Sequence, residues 1–335
     1  MKIGSMICGL IFGLLVGTAC AQNDIDINAD NLEKEGDSSA RSSDSISHSS
    51  DGSSLDTLFI APIPVSFDAN VYDMVVESKS MPLLSPLGIG RYADIYLFAK
   101  NDIEYSRHYV SKTIGMLSSF SGEPIYLYPG KYRVYAPGIN TPNIHTPSFT
   151  NGVQRSLRNQ VDYIWCSLPE MAVEKTAVTN ELNFKHCCTQ VLLCLSGAPG
   201  VTIMDFPVMQ LTPSDPAGCV WNMYTGLITP ATQISNATTM LPVTKANNSF
   251  YAQVIMMPLD MAGSMTTLIT VSTSMDTNPV TIRVSLPVYQ NQLLPGYTYQ
   301  YNIMLDKTGL HFTGVTLINW IAVDATNSPI IPIQL

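Results

Sequence analysis

The sequence lacks the residue patterns that usually carry catalysis. Only five histidines occur in 335 residues, and none of them forms an H-E-x-x-H motif. There is also no G-x-S-x-G elbow, no C-x-x-C pair and no glycine-rich phosphate loop. No two carboxylates have a spacing that indicates acid–base work on a glycoside. We therefore expect a protein that is not an enzyme and that carries no cofactor and no metal ion.

Positive charge is scarce and forms no basic run. The formal net charge is −9, and most of it comes from residues 21–56, which hold nine acids against two bases. Residues 57–335 hold 17 acids and 14 bases, so this part is nearly neutral. Binding to nucleic acid requires a basic patch. The sequence therefore argues against a nucleic-acid partner.

No apolar run reaches the roughly 20 residues that a membrane-spanning helix needs. The longest, residues 6–16, follows Lys2 and precedes Gly-Thr-Ala-Cys at 17–20, an arrangement typical of an export signal. The tetrapeptide resembles a bacterial lipobox, although Gly17 occupies the place where leucine is usual. We predict a lipoprotein signal peptide over residues 1–20 with lipidation, including palmitate, at Cys20. Ordinary signal-peptidase cleavage beside Ala19 is the alternative.

Residues 21–56 lack the apolar side chains that folding requires. Ten serines fall within residues 38–54, where the only large apolar residue is Ile46. Such a segment cannot bury enough surface to offset the entropy of ordering it. We predict a disordered Ser/Asp-rich tether over residues 21–56.

The remainder is rich in short strand patterns separated by turn residues. The full chain contains 22 prolines and 21 glycines. The best candidate for a helix after residue 56 is residues 153–161. In residues 296–305 (GYTYQYNIML) apolar and polar side chains alternate, the period of a half-buried strand. Many short strands at this spacing predict an all-β fold built of β-sandwiches. We take residues 169–180 as the interdomain connection and predict sandwiches over residues 57–175 and 176–335.

The run 180–197 (NELNFKHCCTQVLLCLSG) raises the question of a metal or redox site. If residues 182–195 form one strand, Cys187 and Cys188 point in opposite directions and cannot bind one ion together. His186 and Cys188 share a face, but a zinc site needs further ligands. We therefore favour core thiols that act as small apolar side chains. One disulfide and a metal or redox site remain as alternatives.

Four segments in order resemble the fimbrillin family, the pilin and adhesin lipoproteins of Bacteroides-type bacteria. They are GRYADIYLFAKND (90–102), YLYPGKYRVYAPGINTP (126–142), DYIWCS with VTNELNFKHCCTQVLLCLSG (162–197), and LLPGYTYQYNIMLDKTGLHFTGVTLINW (293–320). The resemblance implies two tandem transthyretin-like β-sandwich domains. It also implies a surface lipoprotein of the outer membrane or fimbrium that acts as a tip, anchor or shaft subunit, or as an adhesin. Its expected partners are homologous subunits, outer-membrane lipid through the acylated cysteine, and a host or bacterial surface ligand.

Subunits of that family join by donor-strand addition, in which main-chain hydrogen bonds supply affinity and alternate side chains enter pockets. The candidate displaced strand is residues 58–67 (LFIAPIPVSF), and Pro62 with Pro64 predict an edge strand. The alternative is a permanent edge strand whose prolines protect it against aggregation. The candidate donor is the tail 329–335 (PIIPIQL), although this tail has the alternative of pairing within its own domain. The side chains expected on one face are Phe59, Ala61, Ile63, Val65 and Phe67 in the first strand, and Ile331, Ile333 and Leu335 in the donor.

Proteolytic processing in the family follows an arginine, and the candidates here are Arg41 and Arg91. Cleavage at Arg91 would remove the first strand, whereas cleavage at Arg41 would leave it in place. Asp44-Ser45-Ile46 and Asp56-Thr57-Leu58 resemble O-glycosylation acceptors of Bacteroides-type bacteria, which makes Ser45 and Thr57 candidate sites. The alternative function is a non-polymerising lipoprotein that binds glycans. Its aromatic platform would be Tyr126, Tyr128, Tyr132 and Tyr135.

Overall fold

The structure is a computed structural model that describes residues 61–73, 83–99, 102–174, 176–276, 278–321 and 329. No helix formed within these ranges is long and apolar enough to cross a membrane. Several predictions fall outside them, namely the signal peptide and tether, Cys20, Arg41, Ser45, Thr57, Phe59, Ile331, Ile333 and Leu335.

The described residues are almost entirely β-structure, which confirms the all-β fold class. In chain order the first half contains β1 Ile63–Asp73, β2 Leu83–Pro86, β3 Tyr92–Ala99, β4 Asp102–Thr113, β5 Met116–Ser119, β6 Ile125–Leu127, β7 Gly130–Ile139, β8 Val153–Gln154, β9 Tyr163–Val173, β10 Val178–His186 and β11 Thr189–Gly197. The second half contains β12 Val208–Leu211, β13 Trp221–Asn222, β14 Thr239–Leu241, β15 Val243–Ala246, β16 Ser249–Met256, β17 Leu259–Asp260, β18 Ser264–Val271, β19 Val280–Pro287, β20 Gln292–Leu293, β21 Thr298–Asp306 and β22 Gly309–Ile318. Among these residues the only helical element is the 3₁₀ turn Tyr289–Asn291.

The helix expected over residues 153–161 does not form. Its first two residues are β8, and the following residues form a loop. Gln160 adopts a positive φ of 64°, which an α-helix does not accommodate. Leu157 and Val161 are buried all the same, because the loop covers the core. Their four-residue spacing imitates a helical pattern without being one.

The first sheet closes on itself. Its strands follow the order β10-β9-β7-β3-β4-β5-β1, and β1 returns to pair with β10. The β1–β10 pair is parallel, and it joins Val65 to Val178 and Val71 to Phe184. The side chains that point inward form a separate core, with members such as Val65, Phe67, Ile95, Leu97, Val134, Ile164, Leu182 and Phe184.

The strands from β11 onward build a two-sheet sandwich. One sheet has the order β15-β16-β11-β21-β22 and the other the order β14-β12-β18-β19. Apolar side chains from both sheets meet in one core, including Val191, Leu193, Met209, Ile269, Leu286, Tyr299 and Tyr301. In β21 the tyrosines at 299 and 301 are buried while Gln300 and Asn302 are half-buried, so the alternation read from the sequence is confirmed.

The chain crosses from the first sheet to the second at Cys187 and Cys188. The sequence placed the connection at residues 169–180, but residues 169–173 belong to β9 and residues 178–180 to β10, which are both in the first sheet. The predicted strand over 182–195 is therefore two strands, β10 and β11. The break is fixed by backbone hydrogen bonds, since Cys187 N donates to Tyr163 O and Gly296 N donates to Cys188 O, each over 2.7 Å. Both cysteines are buried at this crossing.

Gly226 gives a test of the packing between the two halves of the chain. A loop near β13 brings Gly226 against Trp165 of β9, and a β-carbon at 226 would lie 2.3 Å from the indole ring. Gly226 also has a φ of +72°.

We expect Gly226→Ala to lower the free energy of unfolding in urea by about 1–3 kcal/mol more than a control, because an overpacked site must shift its neighbours. The control is Gly218→Ala, where φ is +85° but nothing lies within 4 Å of the added carbon. Equal losses for the two variants would contradict this packing.

Candidate strand-addition site

Along β1 every second side chain is apolar and points into the core of the closed sheet. Its inward side chains Ile63, Val65, Phe67, Ala69 and Val71 are at most 7% exposed. The ring of Phe67 meets that of Tyr109 edge to face at 5.7 Å. Burial of this kind stabilises a fold in proportion to the apolar area removed from water. The first strand is thus a full member of the core.

The predicted edge position of this strand is wrong. Along Val65–Val71 it pairs with β10 on one side, and on its other side it meets β6, β5 and β2 in turn. Pro64 lies opposite Tyr126 of β6, one residue before the β10 ladder begins, so its missing N–H removes no bond from that ladder. Pro62 precedes the strand. Ala61 is likewise outside β1 and exposed.

Polar side chains on the outer face add to the β1–β10 pairing. The hydroxyls of Ser66 and Thr179 lie 2.8 Å apart. The Asn70 amide donates to Glu181 over 2.6 Å and to Asn183 over 3.3 Å. These bonds are mostly exposed, so each contributes little to stability. They nevertheless favour one register of β1 against β10.

Cleavage at Arg91 would separate two strands from the rest of the sheet. β2 pairs with β1, and both strands precede Arg91, which is next to the first residue of β3. The Arg91 carbonyl accepts from Ser111 N over 2.8 Å, and its guanidinium donates to Asn140 over 3.3 Å. Burial lowers the pKa of Arg91 below its usual value, an effect opposed by the charge of Asp162. Because the Arg91 backbone is hydrogen-bonded, proteolysis there requires local opening.

The residues that follow the last strand are held by buried polar groups, of which Gln190 was not predicted from the sequence. Gln190 is fully buried, and its amide donates to Ile321 O over 2.8 Å while its carbonyl accepts from Ile321 N over 3.0 Å. Trp320 stacks on His186 with ring centroids 3.9 Å apart. His186 Nδ1 lies 2.9 Å from the Asp162 carboxylate, and both side chains are buried. Gln190 could have been found from the sequence, because it is a polar residue inside the apolar run TQVLLCL.

The segment beyond Ile321 therefore starts from a fixed point. Of the predicted donor tail, only Pro329 is described, and it is buried.

The cysteines do not form a reactive centre in the described structure. Cys166, Cys187, Cys188, Cys194 and Cys219 are all free thiols there, with no disulfide between them. Burial raises the pKa of Cys166 to about 11 and raises those of the other four as well. A thiol held protonated is a poor nucleophile and a poor metal ligand. Within the described ranges no three His, Cys, Asp or Glu side chains are grouped to hold a metal ion.

The four tyrosines of the proposed platform do not act as one surface. Tyr126 and Tyr128 are half exposed, but Tyr132 is buried and donates its hydroxyl to Tyr128 O over 2.9 Å. Tyr135 packs edge to face against Phe98 and Tyr224. Only Tyr126 and Tyr128 thus keep a ring available to a ligand.

Phe67 tests the contribution of β1 to stability. We expect Phe67→Ala to lower the free energy of unfolding by about 3–5 kcal/mol, because it removes a large buried ring and leaves a cavity. The matched control is the neighbouring Ser66→Ala, which loses one exposed hydrogen bond and should change stability by about 0.5 kcal/mol or less. Denaturant unfolding measures both. A Phe67→Ala loss no larger than that of Ser66→Ala would show that β1 is not built into the core.

Comparison with known proteins agrees with this architecture. Solved structures described as putative cell adhesion proteins share the fold. That from Bacteroides ovatus has a TM-score of 0.58 and 16% identity, covering 79% of this chain and 100% of its own. That from Bacteroides uniformis has a TM-score of 0.54 and 16% identity, covering 77% and 99%. That from Bacteroides fragilis has a TM-score of 0.53 and 14% identity, covering 77% and 96%.

Among curated proteins none matches significantly. Residues 94–320, more than half of the sequence, match the family model described as fimbrillin-like. The chain belongs to the fimbrillin-like family.

Proposed function

We propose that this protein is a cell-surface pilus subunit or adhesin that joins a neighbouring subunit by strand addition at the position of β1. The observation that carries the proposal is the place of β1 in the closed sheet. It is the first described strand, its buried side chains alternate, and it lies between β10 on one side and β6, β5 and β2 on the other.

Loss of β1 would leave a groove with the chemistry that strand addition requires. The β10 edge would lose its parallel partner, and the inner wall would lose five apolar side chains at alternate positions. An extended segment supplies both, since its backbone restores the ladder and its alternate side chains refill the pockets. An unpaired edge of this kind is a ready template for pairing with a strand of another chain.

The C-terminal tail is our candidate donor. Ile331, Ile333 and Leu335 alternate in the same way as the inward residues of β1. The chain is held at Trp320 and Ile321, the latter by Gln190. The number of residues between Ile321 and the tail therefore limits how far the tail can reach.

The remaining parts of the proposal concern location and domain division. Lipidation at Cys20 would attach the protein to the outer membrane, and residues 21–56 would act as a tether that holds the folded part at the surface. Ser45 and Thr57 are candidate glycosylation sites in or beside that tether. Within the folded part, we place the domain boundary at the chain crossing, Cys187 and Cys188, because the strands on either side belong to different sheets.

A second candidate function is a non-polymerising lipoprotein that binds glycans. The observation in its favour is that Tyr126 and Tyr128 expose half of their surface. Exposed aromatic side chains are suited to ligand contact.

A chain that begins at Tyr92 tests strand addition. It corresponds to cleavage at Arg91 and lacks both β1 and β2. We expect it to form a ladder of oligomers in unboiled SDS gels, while the intact chain stays monomeric. A peptide of residues 58–73 added in excess should stop the ladder, because it refills the groove.

The tail supplies matched variants for the same assay. Ile331→Asp with Ile333→Asp should abolish the ladder, whereas Ile330→Asp, on the opposite face of the tail, should leave it intact. A folded Tyr92 chain that forms no ladder would overturn strand addition at β1. A ladder that survives the double substitution would overturn the tail as donor. Retention on a glycan array without any ladder would favour the second candidate.

A further inference from the structure

A small cavity lies on the outer face of the first sheet, away from β1 and the tail. It measures about 180 Å³. Asp94 and Tyr96 of β3 face it beside their cross-strand partners His108 and Ser106 of β4. The loop before β8 completes the wall with Ser148 and Phe149.

Asp94 is the unusual member of this wall. It belongs to the outer side of β3, because Ile95 and its alternate neighbour Leu97 point into the core, yet it is only 2% exposed. One carboxylate oxygen, Oδ1, lies 2.6 Å from His108 Nδ1 and accepts a hydrogen bond from the Thr146 hydroxyl. The other oxygen, Oδ2, is buried and has no hydrogen-bond partner.

A buried carboxylate oxygen without a donor is costly. Burial is also the main reason that the pKa of Asp94 is raised above its ordinary value. Buried polar atoms are nearly always hydrogen-bonded in folded proteins, so an unmatched acceptor beside a cavity indicates a missing donor. Asp94 lines the cavity, so a turn of its buried carboxylate toward the cavity would give Oδ2 access to a donor there.

Two aromatic rings define the apolar side of the cavity. Tyr96 and Phe149 meet edge to face with centroids 6.4 Å apart. Burial, and to a lesser degree the Asp94 carboxylate, raises the pKa of Tyr96 to about 12, so its hydroxyl stays protonated at neutral pH. The exposed hydroxyl of Ser106 and the His108 ring lie on the open side. The cavity thus offers an acceptor, hydroxyl groups and ring surface.

These groups select the class of ligand. An anion would be repelled by Asp94. A metal ion lacks a ligand set, since the described residues contain no group of three potential ligands. A cationic amine would be repelled by the positive charge of Arg107, which is one of the lining residues. The Arg107 guanidinium donates to the carbonyls of Glu123 and Pro124. A neutral ligand that combines hydroxyl donors with an apolar face fits all of them.

We propose that this cavity binds one sugar unit of a carbohydrate, with a sugar hydroxyl donating to Asp94 Oδ2 and its apolar face resting on Tyr96 and Phe149. This site is separate from Tyr126 and Tyr128. It does not depend on strand addition, because none of its residues lies in β1, β2 or the tail.

Saturation-transfer NMR on the intact protein tests the site with the methyl glycosides of glucose, galactose, mannose and N-acetylglucosamine as probes. We expect transfer to at least one of them. Asp94→Asn should weaken that binding about tenfold, the value of one hydrogen bond to a charged group. Ser106→Tyr should abolish it by filling the cavity from an exposed position. The control Ser285→Tyr, an exposed serine on β19, should leave it unchanged.

If Asp94→Asn unfolds below the assay temperature, the loss of binding in Ser106→Tyr alone decides the test. Absence of transfer to all four probes would overturn the proposal. So would binding that Ser106→Tyr leaves intact, binding lost only on Tyr126→Ala, or a site occupied by calcium or zinc that excludes the sugar.

Discussion

The parallel pairing of β1 with β10 is the interaction on which the first sheet depends. It joins residues that are more than one hundred positions apart, Val65 and Val178 among them, and it closes a sheet that would otherwise end in two free edges. Five side chains of β1 complete the enclosed core. A strand placed in this way is essential to the sheet, and it is the first strand that the structure describes. In the strand addition that we propose, a similar strand takes its place.

The two halves of the chain are held together by buried polar contacts around the crossing at Cys187 and Cys188. His186, the last residue of the first sheet, pairs with Asp162 and stacks on Trp320 from the end of the second. Gln190, two residues beyond the crossing, holds the Ile321 backbone through two hydrogen bonds of its side-chain amide. Buried polar groups of this kind favour the arrangement that supplies their hydrogen-bond partners. In this cluster His186 Nε2 is buried without such a partner. Here the polar groups hold Trp320 and Ile321 in place after the last strand.

Local patterns in the sequence predicted most of the strands. They did not predict that the first sheet closes on itself. Alternation identified β21 because a half-buried strand shows a period of two residues in its own sequence. The pairing of β1 with β10 leaves no local signal, and two prolines pointed to an edge instead. The break between β10 and β11 was missed because the apolar run continues through both cysteines. The buried Asp94 was visible as a lone charge in the strand ADIYLFA, but its cavity depends on a loop some fifty residues away.

Hydrogen–deuterium exchange on the intact chain tests the central claim most directly. If β1 is an interior strand of the closed sheet, the amides of Val65–Val71 and those of the paired residues Val178–Phe184 will exchange at similar slow rates, because one opening event exposes both. Exchange of the β1 amides at the rate of an unfolded chain, with β10 still protected, would contradict the account.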